Sequence, residues 1–507
     1  MVILNDYFTK KYDTSEYYNR QNLRTITNDL DYSLLNNLHS PIKNDNIYDL
    51  LIEINNRSKL GTDHILYDQY CHENKTQNVL LPYLCSKKKN ICELIIINNP
   101  EDTERLSRKH VKKMPNFEVL FHDSIISTTD NEHWRSQRNS LISAFNPKDS
   151  LEKIIPISYK RAKKCSTILQ KLSNNGNNKI NINDFFLYET LSQLQLAMFG
   201  FSEDFNNKTN IDIRNGFAGL KEDGYIRNYG QNFLEKIKKS SGPLSINLNN
   251  RIEETETESY GNALILSFAG HDTTGHTLTW LIFELAKNLN YQIKLQNEID
   301  NFWKETGNET IEMNHFKKLP FMTRCIMETL RLWPAVPNGS FRELIADDEI
   351  IGKNNKKVKL KKGTYVQIFN WTRHRSKELW GEDAEIFNPE RNFDEDEIWD
   401  NTGFATYNPY SERFSPFSLP PRDCLGKNFA QIEMRLILLN VLKDFNFILT
   451  KKQTEESFNN NYFGINRATL APANVYNKEL NLKNKGLKPY HTGLYVYAIP
   501  RNNKAKL

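Results

Sequence analysis

Apolar residues recur at three- and four-residue steps through much of the chain, which is the period of an amphipathic α-helix. The pattern predicts helices within 133–145, 151–172 and 187–200, where basic or polar residues fill the remaining faces. Alternating apolar residues are typical of strands, and they occur at 356–371 and 493–500. We therefore expect a mainly α protein with small β-sheets, an α+β fold.

One apolar stretch, Ala263–Phe283, is long enough to cross a bilayer at about 1.5 Å per residue. Asp272, His271 and His276 lie in its middle, where lipid would make an acid costly. The pattern therefore favours a long helix through the centre of a globular domain over a membrane span.

No repeat and no linker rich in Pro, Gly or Ser divides the 507 residues. We therefore expect one domain over 1–507, with a polar segment from residue 1 to about 60 and no transmembrane anchor. Sixty-seven basic and 62 acidic residues leave a net charge of +5, too small for a chain of this size to indicate nucleic-acid binding. The six cysteines show no C-x-x-C spacing, so a disulfide framework or zinc site is not expected. We predict a cytoplasmic or membrane-peripheral monomer.

Cys424 is the most informative cysteine because a helical pattern begins directly after it, with apolar Phe429, Ile432 and Leu436. A sulfur at a helix N-terminus is exposed to free backbone N–H groups and to the positive end of the helix dipole. That position favours a thiolate. The alternative is a buried structural cysteine, which is the commoner fate of a free cysteine.

The Cys424 loop and four further segments, taken in order, resemble the motifs of the cytochrome P450 family of haem-thiolate monooxygenases, with a eukaryotic, fungal-like pattern. The loop matches at Phe417, Arg422, Cys424 and Gly426, and the oxygen-activation motif at Ala269, Gly270, Asp272, Thr273 and Thr274. Glu328 and Arg331 match the Glu-x-x-Arg helix, Pro389, Glu390, Arg391 and Phe393 the Pro-Glu-Arg-Phe segment, and Trp134 and Arg138 the Trp-x-x-x-Arg helix. The resemblance implies the P450 fold, with a long central helix over the haem.

The resemblance also implies a cofactor, haem b, with Cys424 as the thiolate ligand of its iron. The expected cofactor-binding residues are Cys424, Phe417, Arg422, Trp134, Arg138 and Arg342, of which the arginines and the indole N–H suit the haem propionates. For any one of these arginines, a solvated surface position is an alternative.

Asp272 and Thr273 are the expected catalytic pair, since a carboxyl and a hydroxyl can deliver protons to bound dioxygen. The alternative is that Thr273 bonds to its own helix while Asp272 makes a structural salt bridge. Glu328, Arg331 and Arg391 are expected to form a buried network with a structural role only.

The Cys424 loop departs from the family pattern, because it reads Phe-Ser-Leu-Pro-Pro-Arg-Asp-Cys-Leu-Gly with Ser418 and Pro420 where the family has glycines. Proline fixes φ near −65° and has no N–H, so it cannot form a positive-φ bend. We expect either a reshaped loop or a loop that does not need that bend, and the change puts haem loading in question.

The function that the resemblance implies is insertion of one oxygen atom from O2 into a small apolar organic substrate. Electrons would come from a separate NAD(P)H-dependent reductase or a ferredoxin-type donor. One alternative is a peroxygenase or isomerase that uses the same haem-thiolate, and another is a non-catalytic, haem-poor relic. The intact Asp272 and Thr273 pair favours dioxygen chemistry.

Overall fold

The computed structural model describes residues 79–85, 90–115, 117, 121–145, 150–203, 205, 225–251, 255–307, 310–352, 355–394, 397, 411–451, 463–464, 469, 471–472 and 493–502. The polar segment from residue 1 to about 60 lies outside these ranges. The single domain over 1–507 stays a prediction.

Helices dominate the described part of the chain, which confirms a mainly α fold. They are α1 (Pro100–Lys109), α2 (Asn131–Leu141), α3 (Glu152–Ser173), α4 (Ile182–Gln193), α5 (Tyr225–Lys238), α6 (Pro243–Asn249), α7 (Glu256–Lys287), α8 (Leu289–Thr306), α9 (Pro320–Leu332), α10 (Asn370–Arg375), α11 (Lys377–Trp380) and α12 (Lys427–Asp444). A π-helical turn, Leu194–Met198, extends α4, and 3₁₀ turns occur at Ile142–Phe145 and Met313–Lys318.

The strands form small sheets, as expected for an α+β fold. They are β1 (Val79–Cys85), β2 (Asn90–Ile97), β3 (Lys179–Asn181), β4 (Ser340–Glu343), β5 (Asp348–Ile351), β6 (Lys357–Leu360), β7 (Tyr365–Ile368), β8 (Phe445–Leu449), β9 (Phe463–Gly464), β10 (Ala471–Pro472) and β11 (Tyr495–Pro500). One sheet has the order β1-β2-β7-β4, another the order β3-β11-β8, and β5-β6 and β9-β10 are separate pairs. In the first sheet β2 runs parallel to β7, and β4 runs antiparallel to it.

The predicted elements occur where the periodicity placed them, with shifted boundaries. The 133–145 segment is α2 followed by a 3₁₀ turn, and the 151–172 segment is α3. The 187–200 segment is the end of α4 and its π-helical turn, because the helix begins earlier, at Ile182. Strands β6, β7 and β11 occupy the segments with alternating apolar residues.

Helix α7 is the long central helix, and it extends beyond the apolar stretch at both ends. The Thr255 side chain accepts a hydrogen bond from the Glu258 backbone N–H, and acidic residues in the first turn complement the helix dipole. Lys287 lies in the last turn, where a cation is favoured. Among the described helices, none has both the length and the apolarity that crossing a membrane requires.

Helices α4 and α7 pack closely because glycines of α7 face α4. A Cβ atom built on Gly275 would lie 2.8 Å from Leu187 Cδ2 and 3.1 Å from Leu187 Cα, so a side chain there would push the helices apart. A Cβ on Gly270 would lie 2.8 Å from Leu194 Cδ1. The Thr190 hydroxyl donates to the His271 carbonyl across the same interface, at 2.9 Å.

Glu433 is a buried acid in the core between α12 and its neighbours. Its side chain is 0% exposed, and neither carboxyl oxygen has a hydrogen-bond partner in the described part of the chain. Burial, together with the Glu189 carboxyl, raises the pKa of Glu433 well above its ordinary value. The folded protein therefore holds a proton on Glu433 that the unfolded chain releases more readily.

The proton on Glu433 predicts how the stability of the variant Glu433→Gln changes with pH. A carboxyl whose pKa is raised by folding adds most to the free energy of unfolding below its unfolded pKa of about 4.3. This contribution is lost as pH rises. The variant should therefore gain free energy of unfolding over the wild type as pH rises above about 5, by at most about 1.4 kcal/mol per pH unit. Urea unfolding at several pH values measures the difference.

The measurement near pH 4 is the internal control, because Glu433 is then largely protonated in both the folded and the unfolded chain. A difference between variant and wild type that stays constant from pH 4 to pH 8 would show that Glu433 does not hold this proton.

Candidate active site

The Cys424 loop ends at the N-terminus of α12, as the sequence predicts. Gly426 is the N-cap residue of α12, and the Cys424 backbone N–H donates to the Phe417 carbonyl at 2.9 Å, which closes the loop. Phe417 and Leu425 pack against the main core. Of the free cysteines described, Cys165 and Cys325 are buried residues, and Cys424 is an exposed residue.

The helix N-terminus does not by itself ionise Cys424. Desolvation by the surrounding protein raises the pKa of the thiol, although part of the side chain is exposed, and the Gly426 backbone N–H opposes this only in part. This differs from the sequence expectation that the position favours a thiolate. A coordinated metal ion deprotonates a thiol outright, so the thiolate depends on coordination.

Ser418 forms the positive-φ bend of the loop. Its φ is +64°, a left-handed conformation that costs an L-residue roughly 1–2 kcal/mol relative to glycine. The Ser418 backbone N–H donates to the Ser415 carbonyl at 3.0 Å, which holds the bend. The loop therefore keeps a left-handed residue although glycine is absent, and Pro420 is not needed for it.

Three cationic side chains are buried together at the edge of this loop. Arg342 is 0% exposed, Lys113 6% and Arg422 8%. Lys113 and Arg342 form an isolated antiparallel bridge, which places β4 beside the segment that follows α1. We call Lys113, Arg342 and Arg422 the cation cluster.

The cation cluster has unfavourable electrostatics in the chain alone. Burial lowers the pKa of Arg342 to about 10, and burial with the charges of Arg342 and Arg138 lowers that of Arg422 to about 9. Burial, Arg342 and Arg422 lower the pKa of Lys113 well below its ordinary value. A buried cation whose pKa falls in this way is stabilised by a nearby anion.

Several guanidinium donors of the cluster lack a partner. Arg342 Nε and Nη2 and Arg422 Nε and Nη1 are buried without a hydrogen bond among the described residues. The Arg422 guanidinium carbon lies 4.4 Å from the centroid of the Trp134 ring, which is 4% exposed. Since buried donors are normally satisfied, the cluster fits a ligand that brings carboxylates, and the haem propionates are such groups.

Arg138 has a different partner from the one that the sequence suggests. Its Nη1 donates to the Asp423 carbonyl at 2.9 Å and its Nη2 to Asp423 Oδ1 at 2.6 Å. Lys427 Nζ lies 2.9 Å from Asp423 Oδ2. Arg138 therefore ties α2 to the residue before Cys424, which supports the loop.

Glu328, Arg331 and Arg391 lie together in a buried network. Arg331 donates to both carboxyl oxygens of Glu328, at 2.7 and 2.8 Å, and Arg391 Nε donates to Glu328 Oε1 at 3.2 Å. Arg391 also forms a bidentate ion pair with Asp383, at 2.7 and 3.0 Å. The carboxylate of Glu328 is therefore saturated with donors, as a buried charge requires.

The network reaches the Cys424 loop through α10. Arg331 Nη1 donates to the His374 carbonyl at 2.8 Å, and the Ser415 backbone N–H donates to His374 Nε2 at 3.2 Å. Burial and the charges of Arg373 and Arg331 hold the pKa of His374 well below its ordinary value. The neutral ring can therefore accept this hydrogen bond.

Asp272 and Thr273 lie in the middle of α7, and both have partners. Thr273 Oγ1 donates to the Ala269 carbonyl at 2.8 Å. Asp272 accepts a hydrogen bond from the Thr469 hydroxyl, and His276 Nε2 lies 3.5 Å from Asp272 Oδ2. These bonds are those of the structural alternative, but the Thr273 oxygen keeps its lone pairs as acceptors.

The sequence analysis did not identify four residues of the site, which are Lys113, Thr469, Asp423 and His276. His276 could have been found, because it stands four residues after Asp272 on a predicted helix. No comparable signal marks Lys113, Thr469 or Asp423, since their partners are remote in sequence or lie in an irregular loop.

Three features of the described residues suit a haem-thiolate protein. The fold is mainly helical, the exposed residue Cys424 comes before a helix, and the buried cation cluster lies beside the Cys424 loop. Residues 221–471 match the family model described as Cytochrome P450. Similar curated proteins include one from Caenorhabditis elegans named "Putative cytochrome P450 CYP13A6", 32% identical over 199 residues, 39% of this chain and 35% of that protein. The similarly named CYP13A5 of the same organism is 32% identical over 221 residues, which are 44% of this chain and 38% of that protein. CYP13A8, also from this organism, is 32% identical over 251 residues, which are 50% of this chain and 43% of that protein.

Residues 221–471 match the cytochrome P450 family, which confirms the resemblance over that part of the chain. The cofactor of that family is haem b with a cysteine thiolate ligand. The matched part of the chain spans less than half the length of these relatives.

The left-handed Ser418 predicts that Ser418→Gly stabilises the loop by about 1 kcal/mol, because glycine adopts a positive φ without strain. The haem-loaded variant should unfold at higher denaturant concentration and retain haem longer than the wild type. Ser418→Ala is the matched control: it removes the hydroxyl but keeps the strain, so it should give no gain. Equal effects of the two substitutions would contradict this explanation.

The cation cluster predicts that Lys113→Met has opposite effects with and without haem. Without haem, removal of an unpaired buried charge should raise the free energy of unfolding by about 1 kcal/mol or more. With haem, the loss of one cation beside the propionates should accelerate haem dissociation about tenfold. Transfer of haem to an apoprotein acceptor measures the rate.

Lys112→Met is the control for this experiment, because Lys112 is adjacent but partly exposed and pairs with Glu343. If Lys113→Met retains haem as firmly as Lys112→Met, Lys113 does not help to hold the cofactor.

Proposed function

We propose that this protein is a haem-thiolate monooxygenase that inserts one atom of O2 into a small apolar organic substrate. The family match of residues 221–471 supports this reaction class, and the observation that carries it is the exposed residue Cys424 beside the unsatisfied cation cluster.

The residues divide into those that bind the cofactor and those that support its loop. Cys424 would be the metal ligand, and Phe417 of the same loop packs against the main core. Arg342, Arg422 and Lys113 would hold the propionates, and Trp134 stacks on Arg422. When bound, haem with a thiolate ligand supplies the activation of dioxygen.

Arg138 acts on this site through Asp423. Its contacts fix the residue before Cys424, and the expected propionate contact is not needed for that role. The Glu328, Arg331 and Arg391 network acts further away, through His374 and the start of the loop. Its role is structural, because it touches no group that reacts.

Asp272 and Thr273 are the residues that move protons. The Thr273 hydroxyl lies on the helix turn next to Asp272, half-buried, and it can pass a proton while it rotates away from the Ala269 carbonyl. The Asp272 carboxylate, held by Thr469 and His276, takes up a proton that comes from solvent and passes it on to replace the one delivered.

Electrons would come from a separate NAD(P)H-dependent reductase or a ferredoxin-type donor, as the family resemblance implies. The electron donor therefore has to dock on the protein.

A peroxygenase is the second candidate function, and the bonds of α7 favour it. The hydrogen bond from Thr273 to its own helix and the pairing of Asp272 would suit a reaction that needs no proton relay. Peroxide brings its own protons and electrons, so a peroxygenase would work without a reductase.

The test of the proposed function starts with absorbance of the purified, hemin-reconstituted protein. The reduced carbon monoxide adduct should have the long-wavelength Soret band of a thiolate ligand, and Cys424→Ala should lose it. The control Cys325→Ala, at a buried cysteine, should keep the band. A band that survives in Cys424→Ala, or a wild type that takes up no haem, would overturn the proposal.

Thr273→Ala separates the two candidate functions. For a monooxygenase, the variant should keep the spectrum but divert most of the consumed dioxygen to hydrogen peroxide. Product formation should fall by a factor of about ten or more. Product and peroxide are measured with a ferredoxin and its reductase as the electron source. A fully active Thr273→Ala would show that the hydroxyl does not relay protons.

A further inference from the structure

An imidazole lies behind the Asp272 carboxyl. His276 Nε2 is 3.5 Å from Asp272 Oδ2, and only 2% of the His276 side chain is exposed. The two residues are four positions apart on α7, so the rigid helix fixes their separation. The Thr469 hydroxyl donates to the same carboxyl oxygen. Asp272 is therefore clamped between two donors.

The far side of the imidazole determines where its protons are. His276 Nδ1 lies 2.8 Å from Asn183 Oδ1, in the first turn of α4. An amide oxygen only accepts hydrogen bonds, so Nδ1 carries a proton. Nε2 is then the atom that gains or loses a proton, and it faces Asp272. The pair shares one exchangeable proton, which is either on Nε2 or on the carboxyl.

The charges around Asp272 favour the form with the proton on His276. Burial raises the pKa of Asp272, but His276, His271 and the Thr469 hydroxyl together lower it below its ordinary value. His271 is bonded through Nδ1 to the Ser267 carbonyl, at 2.7 Å. From the packed elements, Thr469 and Asn183 contribute neutral groups, so the two histidines are the titratable partners in the described part of the chain.

We propose that His276 is a positioning residue that orients Asp272 and recharges it with protons during turnover. This role rests on the proposed monooxygenase function. Nε2 gives its proton to the Asp272 carboxylate at Oδ2, and Asp272 then delivers one proton toward Thr273. The step leaves a neutral imidazole, still bonded through Nδ1 to Asn183, and an Asp272 carboxylate once the proton has moved on. Solvent returns one proton to Nε2 for each proton delivered.

The proposal gives a pH dependence with a definite sign. Solvent has to return a proton to Nε2 after each delivery, and the supply of protons falls as pH rises, so proton delivery weakens toward high pH. The fraction of consumed dioxygen that leaves as hydrogen peroxide should therefore rise with pH. Without an imidazole at position 276, this fraction should be high at every pH.

The experiment compares haem-loaded wild type with His276→Gln, and uses His315→Gln as the matched control. His315 lies in the 3₁₀ turn Met313–Lys318, where its side chain caps that turn. Carbon-13 NMR of labelled aspartate carboxyls, assigned with Asp272→Asn, follows the titration of Asp272. Peroxide released per dioxygen consumed is measured from pH 6 to pH 9, with a ferredoxin system and lauric acid as the apolar probe.

In His276→Gln, the Asp272 titration should move upward by at least about one pH unit. Peroxide release should rise at least about threefold near pH 6, and its pH dependence should flatten. Oxidation driven by added hydrogen peroxide should stay at the wild-type rate, because peroxide brings its own protons. His315→Gln should match the wild type in all three measurements.

An unchanged Asp272 titration in His276→Gln would overturn the pairing. A shifted titration with an unchanged peroxide fraction and pH profile would overturn the proton role, since His276 would then be structural only. If the wild type consumes no dioxygen, the proposed function and the proton role both fail, whereas the titration still reports on the pair. Asn183→Ala, which removes the acceptor for Nδ1, serves if His276→Gln does not fold and should shift peroxide release in the same direction.

Discussion

The burial of Lys113, Arg342 and Arg422 beside one loop is the constraint on which the proposed site depends. Each cation has left water, and within the described residues none has an acidic partner. Desolvation of a charge is unfavourable unless a counter-charge replaces the water. The cluster therefore makes an anionic ligand part of the stable protein, and the haem propionates fit that requirement.

The Cys424 loop is held from two sides by groups that do no chemistry. On one side Arg138 of α2 binds Asp423, and on the other the Glu328 network reaches Ser415 through Arg331 and His374. These contacts compensate for a loop in which a serine adopts the left-handed conformation. A strained loop persists only where the surrounding structure determines its shape, and here that structure consists of buried ion pairs.

The middle of α7 shows how one helix can carry both packing and chemistry. Glycines on one face allow α4 to approach, while Asp272 meets His276 and Thr469 elsewhere on the helix. Close packing excludes water, which strengthens the interaction between the carboxylate and the imidazole. Because water is excluded, this interaction also depends strongly on whether the shared proton is on the imidazole or on the carboxyl.

Local pattern was sufficient for the helices α2 and α3, the long helix α7, the strands β6, β7 and β11 and the position of Cys424 before α12. Periodicity and motif spacing are properties of neighbouring residues, so the chain displays them before it folds. The order of the motifs also indicated the P450 family. Boundaries such as the start of α4 were less well predicted, because caps and tertiary contacts set them.

Only the tertiary structure decided which partner each charged side chain has. Lys113 meets Arg342 because a bridge joins two segments more than 200 positions apart, and Arg138 binds Asp423 because α2 reaches the loop. Thr469 reaches Asp272 across a similar separation in sequence. The energy of a charge depends on its distance to other charges and on the water around it, and both are set by the folded chain. The sequence by itself therefore indicated the family and predicted Cys424 as the ligand residue, whereas the fold decided how the buried charges around that residue are held.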